Sequence, residues 1–245
     1  MNSFYKRRRI YFLFAFLISF IQANPPSLKP TNQPGDPKII GAMKEVMWEG
    51  RLSAQIDIDT LSDKRHLYGL GPVEFLAGEI LILDGTGYKS EVLSDTSMKV
   101  TETLKIKAPF FGYANIGKWT VTSLPDSVTT LPQLEAYLNI APKKRARPFF
   151  FKITAVADSA NIHVVNIPKG SKVSSPADAH LGQKDFTIRG EKFDLLGFFS
   201  TEHQAIFTHH DTFVHAHLIT GDRKRMGHLD EIAIRKGTGR LFLPE

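Results

Sequence analysis

Val214-His215-Ala216-His217-Leu218-Ile219-Thr220 sets two histidines, one residue apart, in an apolar segment of strand length. Side chains alternate across a strand, so both imidazoles leave the same face. Gly221-Asp222-Arg223-Lys224-Arg225-Met226-Gly227 is a polar loop bounded by glycines, and His228-Leu229-Asp230-Glu231-Ile232-Ala233 resumes an alternating pattern. Folded as an antiparallel hairpin around that loop, the segment brings His228 nearly opposite His217, and His215, His217 and His228 can converge on one ion. Three histidine ligands leave coordination positions open, as expected of a catalytic rather than a structural zinc site. The same donors also accept manganese, iron, cobalt, nickel or copper. The competing reading makes them ordinary histidines at the rim of a core.

Six of the nine histidines lie between His203 and His228. His203, His209 and His210 occupy a polar connection and read as solvated loop residues. Asp230 and Glu231 follow His228 closely, so either could orient a ligand. Around this hairpin the second half of the chain is mostly β. Phe149 to Val156, His163 to Ile167, Lys192 to Phe199 and Ala205-Ile206-Phe207 are apolar runs separated by Pro, Gly and Ser turns. Lys143-Lys144-Arg145-Ala146-Arg147 reads as a solvated loop, since no interleaved aromatics support base stacking.

The first half mixes helix and strand. Ile39, Ile40, Met43, Val46 and Met47 have helical spacing, and Gln55 to Asp59 alternates briefly. Glu79-Ile80-Leu81-Ile82-Leu83 closes on Asp84-Gly85 and returns through Tyr88 to Leu93, which predicts a hairpin. Val100 to Ala108 and Trp119 to Ser123 also read as strands, and Thr130 to Leu138 has the N-cap and early proline of a helix ending near Ala141-Pro142. Glu79 opens an apolar strand, an unfavourable place for a carboxylate unless it meets a cation, a donor or a substrate. Its plainer role is a strand-edge residue facing water. Gly69 and Gly71 supply half of a dinucleotide fingerprint, but neither the third glycine nor the helix is present after them.

The chain of 245 residues, 42% hydrophobic and 23% charged, has the composition of a globular protein and excludes a mainly disordered one. Its net charge of +6 does not signal nucleic-acid binding, because four of the basic residues are Lys6, Arg7, Arg8 and Arg9. Twelve uncharged residues come next, Ile10 to Ile21, and then Gln22-Ala23-Asn24-Pro25-Pro26. This is the layout of a secretory signal, residues 1–23, cleaved after Ala23. As a helix the apolar run spans about 18 Å, short of a bilayer core of roughly 30 Å, so stable membrane insertion is not expected. Residues 24–37 hold five prolines and read as an extended linker. With no cysteine, the chain has neither disulfides nor a thiolate site. The expected organisation is an α/β part over 38–142 and a β-rich metal-binding part over 143–245.

Taken together these residues resemble the alpha-acetolactate decarboxylase family. The resemblance runs from about Ile39 to Pro244. It is carried by Gly69-x-Gly71, Gly78-Glu79 and Asp84-Gly85, by Arg189-Gly190 ahead of Gly197-Phe198, and above all by His215-x-His217 with His228 eleven positions later. It implies a two-part α/β (α+β) fold with a mixed N-terminal sheet and a barrel-like C-terminal half. It further implies a homodimer, Zn²⁺ on the three histidines, Glu79 as the active-site glutamate, and decarboxylation of 2-acetolactate to acetoin. His163 stands where the resemblance implies an arginine, and a charged imidazole there could anchor the substrate carboxylate, with Arg147 or Arg189 as alternatives. The resemblance also implies a second glutamate from a C-terminal tail, for which Glu245 offers only a distant replacement.

The chemistry agrees with those residues. Loss of CO₂ from a 3-oxo acid leaves an enediolate, which a Lewis-acidic metal stabilises, while a nearby carboxyl manages the proton returned to carbon. The alternative is an exported metal-binding relative that acts on, or only binds, another small hydroxy- or oxo-acid. A third reading is a secreted interaction module whose histidines decorate a loop.

Overall fold

The computed structural model describes residues 35–140, 147–208 and 212–245. The expected signal, most of the proline-rich linker, most of the basic cluster, His209 and His210 lie outside them. The described residues fall within one compact unit, Asn32–Glu245. In chain order the elements are β1 Lys38–Ile40, α1 Met43–Met47, β2 Ile56–Asp57, β3 Leu67–Pro72, β4 Glu79–Leu83, β5 Thr86–Ser94, β6 Ser97–Glu102, β7 Lys107–Ala108 and β8 Phe111–Asn115. They continue with β9 Trp119–Ser123, α2 Leu131–Ile140, β10 Phe149–Val164, α3 Pro176–Ala179, β11 Lys184–Ile188, β12 Glu191–Phe199, β13 Val214–Thr220, β14 Met226–Ile234 and β15 Arg240–Pro244.

Two antiparallel sheets carry the fold, which is α+β and rich in strand. The first has the order β1-β8-β3-β4-β5-β6. The second runs β12-β13-β14-β10-β15-β9, and β10 also pairs with β12, which closes β12, β13, β14 and β10 into a barrel. Closure removes the free edges that an open sheet exposes. The 16-residue β10 makes this possible, pairing with β12 along Phe149–Ala157 and with β14 along Ala157–His163. The sheets divide before Trp119: β9 joins the second sheet through β15, and α2 buries Leu134 and Leu138 in the core of that same half. Tyr68, Leu70 and Leu81 of the first sheet pack against Phe150, Leu196 and Phe198 of the second.

Several expectations change in detail. The helical spacing at Ile39–Met47 resolves into β1 and the short α1, because Gly41 between them takes φ +66°, outside the helical range. Phe149–Val156 and His163 belong to a single strand. Ala205-Ile206-Phe207 is a turn: Ala205 has φ +58°, and the amides of Ile206, Phe207 and Thr208 all donate to the His203 carbonyl. Among the described residues no helix is long and apolar enough to cross a membrane.

Candidate functional site

The hairpin β13–β14 has the expected register, with His217 directly opposite His228. Gly227 permits the close fit of the neighbouring strand, since a Cβ there would lie 2.3 Å from the carbonyl oxygen of His163. His215, His217 and His228 are all buried, and one ring nitrogen from each lies within 4.8 Å of the others. The chain holds these rings from behind. The Nδ1 of His215 donates to the carbonyl of Phe207 at 2.7 Å, and the Nδ1 of His217 to the carbonyl of Ile80 at 2.8 Å. A carbonyl only accepts, so Nδ1 carries the proton in both rings and each Nε2 presents a lone pair. The two Nε2 atoms face each other 3.3 Å apart. Ligands bound tetrahedrally at 2.0–2.1 Å would be separated by about 3.3–3.4 Å, so the donor set fits a divalent metal ion. The three histidines can bind such an ion, as expected from their spacing.

Glu79 reaches this cluster from the other sheet. It is 3% exposed; its Oε1 accepts the amide of Val165 at 3.2 Å, and its Oε2 lies 3.6 Å from His217 Nε2. Burial pushes its carboxyl up to about 8, against the opposing influence of His163 and the Val165 amide. The strand-edge role facing water does not apply to this residue. Gly78 lets the chain enter at φ +144°, with its Cα so close to β5 that a Cβ would lie 2.0 Å from the Ser90 carbonyl oxygen.

His163 is also buried and stacks on His228, with ring centroids 4.7 Å apart and planes at 29°. Its Nδ1 lies 2.8 and 3.0 Å from the two carboxylate oxygens of Asp230. Burial lowers the affinity of His163 for its second proton, but the hydrogen bond and charge of Asp230, with Glu79 and Asp185, outweigh it and raise the pKa. Asp230 occupies a β-bulge between the pairs Ile162–Leu229 and Asn161–Glu231. Bulges re-aim side chains, and here the carboxylate meets His163.

The remaining candidates lie elsewhere. Glu231 accepts from Asn161, and His203 contacts Ser200 Oγ at 2.7 Å through Nδ1. Arg147 donates to the carbonyl of Asn139 and covers the ring of Phe199, while Arg189 is exposed. Sequence reasoning missed the supporting main-chain groups of Ile80, Phe207 and Val165, which carry no signal in their residue types. It also missed the pairing of Asp230 with His163, which depends on the bulge.

No curated protein sequence matches this chain. Among solved structures, alpha-acetolactate decarboxylase from Bacillus subtilis strain 168 superposes with a TM-score of 0.68 at 16% identity, over 85% of each chain. Acetolactate decarboxylase from Bacillus subtilis subspecies spizizenii gives 0.69 at 16% identity, again over 85% of each chain. A Staphylococcus aureus protein, described as of unknown function and similar to alpha-acetolactate decarboxylase, gives 0.66 at 15%, over 85% of this chain and 84% of that one. These likenesses are of fold. The family profile for alpha-acetolactate decarboxylase matches residues 41–241, nearly all of the described chain, and the protein belongs to that family.

Proposed function

We propose that this protein is a zinc-dependent carboxy-lyase that converts 2-acetolactate (2-hydroxy-2-methyl-3-oxobutanoate) to acetoin and CO₂. The observation that carries the reading is the meeting of three buried imidazoles from one sheet with a buried carboxyl from the other. In the reaction the bond from carbon 2 to the carboxylate breaks, its electron pair passes toward the neighbouring carbonyl, and carbon 2 then takes up one proton. His215, His217 and His228 would hold a divalent ion, which would supply Lewis acidity where that negative charge collects. Phe207 and Ile80 keep His215 and His217 in the ligating tautomer. Glu79 is the acid–base group for the proton on carbon, its carboxyl held toward the cluster by the Val165 amide. His163, fixed by Asp230, is the candidate partner for the substrate carboxylate. Burial of Glu79, His163 and the three imidazoles keeps water from competing for the carbanionic carbon.

The His163–Asp230 pair, where the sequence resemblance implies an arginine, favours a second reading in which another small hydroxy- or oxo-acid is the substrate. Metal analysis of the purified protein, together with acetoin release from racemic 2-acetolactate, separates the two. One zinc per chain with turnover supports the decarboxylase. Zinc without acetoin supports the second reading, and absence of both overturns the metal-dependent function. The basic N-terminus and its apolar run further support export of the protein, by cleavage after Ala23.

A further inference from the structure

Buried polar side chains are few among the described residues, and those at the candidate site have partners from the chain, with one exception. Ser90 is 0% exposed, and its Oγ has no hydrogen-bond partner among the described residues. A hydroxyl both donates and accepts, and leaving it unpaired away from water is unfavourable, so such a group asks for a ligand.

Its position in the sheet says which ligand. Ser90 lies directly opposite Glu79 in the register of β4 and β5. Directly opposed residues of antiparallel strands project from the same face, with Cβ atoms about 4.5–5.5 Å apart. The next opposed pair on that face is Leu81 with Tyr88, and both pack into the core between the two sheets, beside Ile219 and Met226 of the histidine hairpin. Ser90 therefore stands next to Glu79 on the surface turned toward the imidazoles. Its Oγ makes no bond to the Glu79 carboxyl, which is engaged instead with the Val165 amide.

We propose that Ser90 is a substrate-contacting residue of this site, its hydroxyl hydrogen-bonding a carboxylate or 2-hydroxyl oxygen of a small hydroxy-oxo acid bound beside Glu79. The proposal rests on the function proposed above and names a specificity-determining group for it. A site built to hydrogen-bond a substrate oxygen discriminates strongly against analogues that lack it, because its own polar group is then left unpaired.

The test is Ser90→Ala against wild type, both loaded with zinc, with three readouts: the thermal midpoint, the steady-state constants for 2-acetolactate, and calorimetric binding of 2-hydroxy-2-methylbutanoate, which lacks the 3-oxo group and does not decarboxylate. A hydroxyl whose partner is the substrate leaves the free protein at least as stable without it. KM and the dissociation constant of the analogue then rise about tenfold, with kcat changed about twofold or less. An unchanged KM and analogue affinity, with acetoin still released, overturns the role of Ser90 and leaves the decarboxylase standing. Analogue binding that weakens in Ser90→Ala, in a wild type that releases no acetoin, supports Ser90 and overturns the choice of substrate. A wild type that neither turns over 2-acetolactate nor binds the analogue overturns both.

Discussion

The Nδ1 of His217 donates to the carbonyl oxygen of Ile80 across 2.8 Å, although 137 residues separate the two in the chain. The bond joins the second sheet to the first at the residue next to Glu79. It fixes the tautomer of the imidazole and the height of the acid-bearing strand in one contact.

Replacing His217 by alanine removes a metal donor and leaves the Ile80 carbonyl unpaired. We expect zinc to fall from one per chain to a small fraction, acetoin release to be lost, and stability to drop by about 1–3 kcal/mol from the orphaned carbonyl. Elemental analysis, product release and denaturant unfolding measure the three effects separately.

Glu79→Gln keeps the shape of the side chain and removes its exchangeable acid proton. The zinc content stays at the wild-type level, while kcat falls by about 10²–10⁴, the range for loss of a positioned acid–base group. Loss of zinc in this variant would assign Glu79 to the metal's own ligands instead.

Asp230 stands outside the imidazole cluster but sets the orientation of His163. Asp230→Asn keeps an acceptor and removes the charge, so kcat/KM for 2-acetolactate should fall about 10–100-fold, as when the partner that orients a functional imidazole is lost. Its unfolding midpoint should stay close to that of wild type, because the Asp230 side chain is 39% exposed.

Phe207 lends its carbonyl to His215 and rests its ring on Gly112, where a Cβ would lie 2.4 Å from the ring carbon Cζ. Gly112→Ala must therefore displace the ring. The expected cost is about 1–3 kcal/mol, with weaker zinc binding measured by competition with a chelator.

The proposed export is checked without an activity assay. Expressed in a host with a secretory pathway, the recovered chain should begin at Asn24, which intact mass and N-terminal sequencing determine directly.

The histidine hairpin is legible in the sequence because its signals are local: a period of two, two flanking glycines and a short polar loop determine which rings face each other. The hairpin of β4 and β5 is legible for the same reason, from Glu79–Leu83 and Asp84-Gly85. The approach of Glu79 to His217 is implied only by the family resemblance, since no local pattern says which faces of two sheets meet. The helical spacing before Met47 misleads because apolar residues at Ile39 and Ile40 serve a strand edge, and Gly41 separates them from the single turn of helix at Met43–Met47. His163 is within reach of sequence reasoning, but its pairing with Asp230 is not, because a β-bulge leaves no mark in the sequence. Ser90 carries no signal either, as one serine among many in a strand pattern.

The three imidazoles come from a single hairpin, whereas Glu79 and the Ile80 carbonyl arrive from the other sheet, far back in the chain. A hairpin closes quickly from its own neighbours, while contacts across such a sequence separation must first overcome the entropy of closing a long loop. The histidine hairpin can thus form early from local contacts, whereas the contact of Glu79 with it requires the sheets to dock. On the proposed function, acetoin release should therefore return during refolding no earlier than the docking of the two sheets.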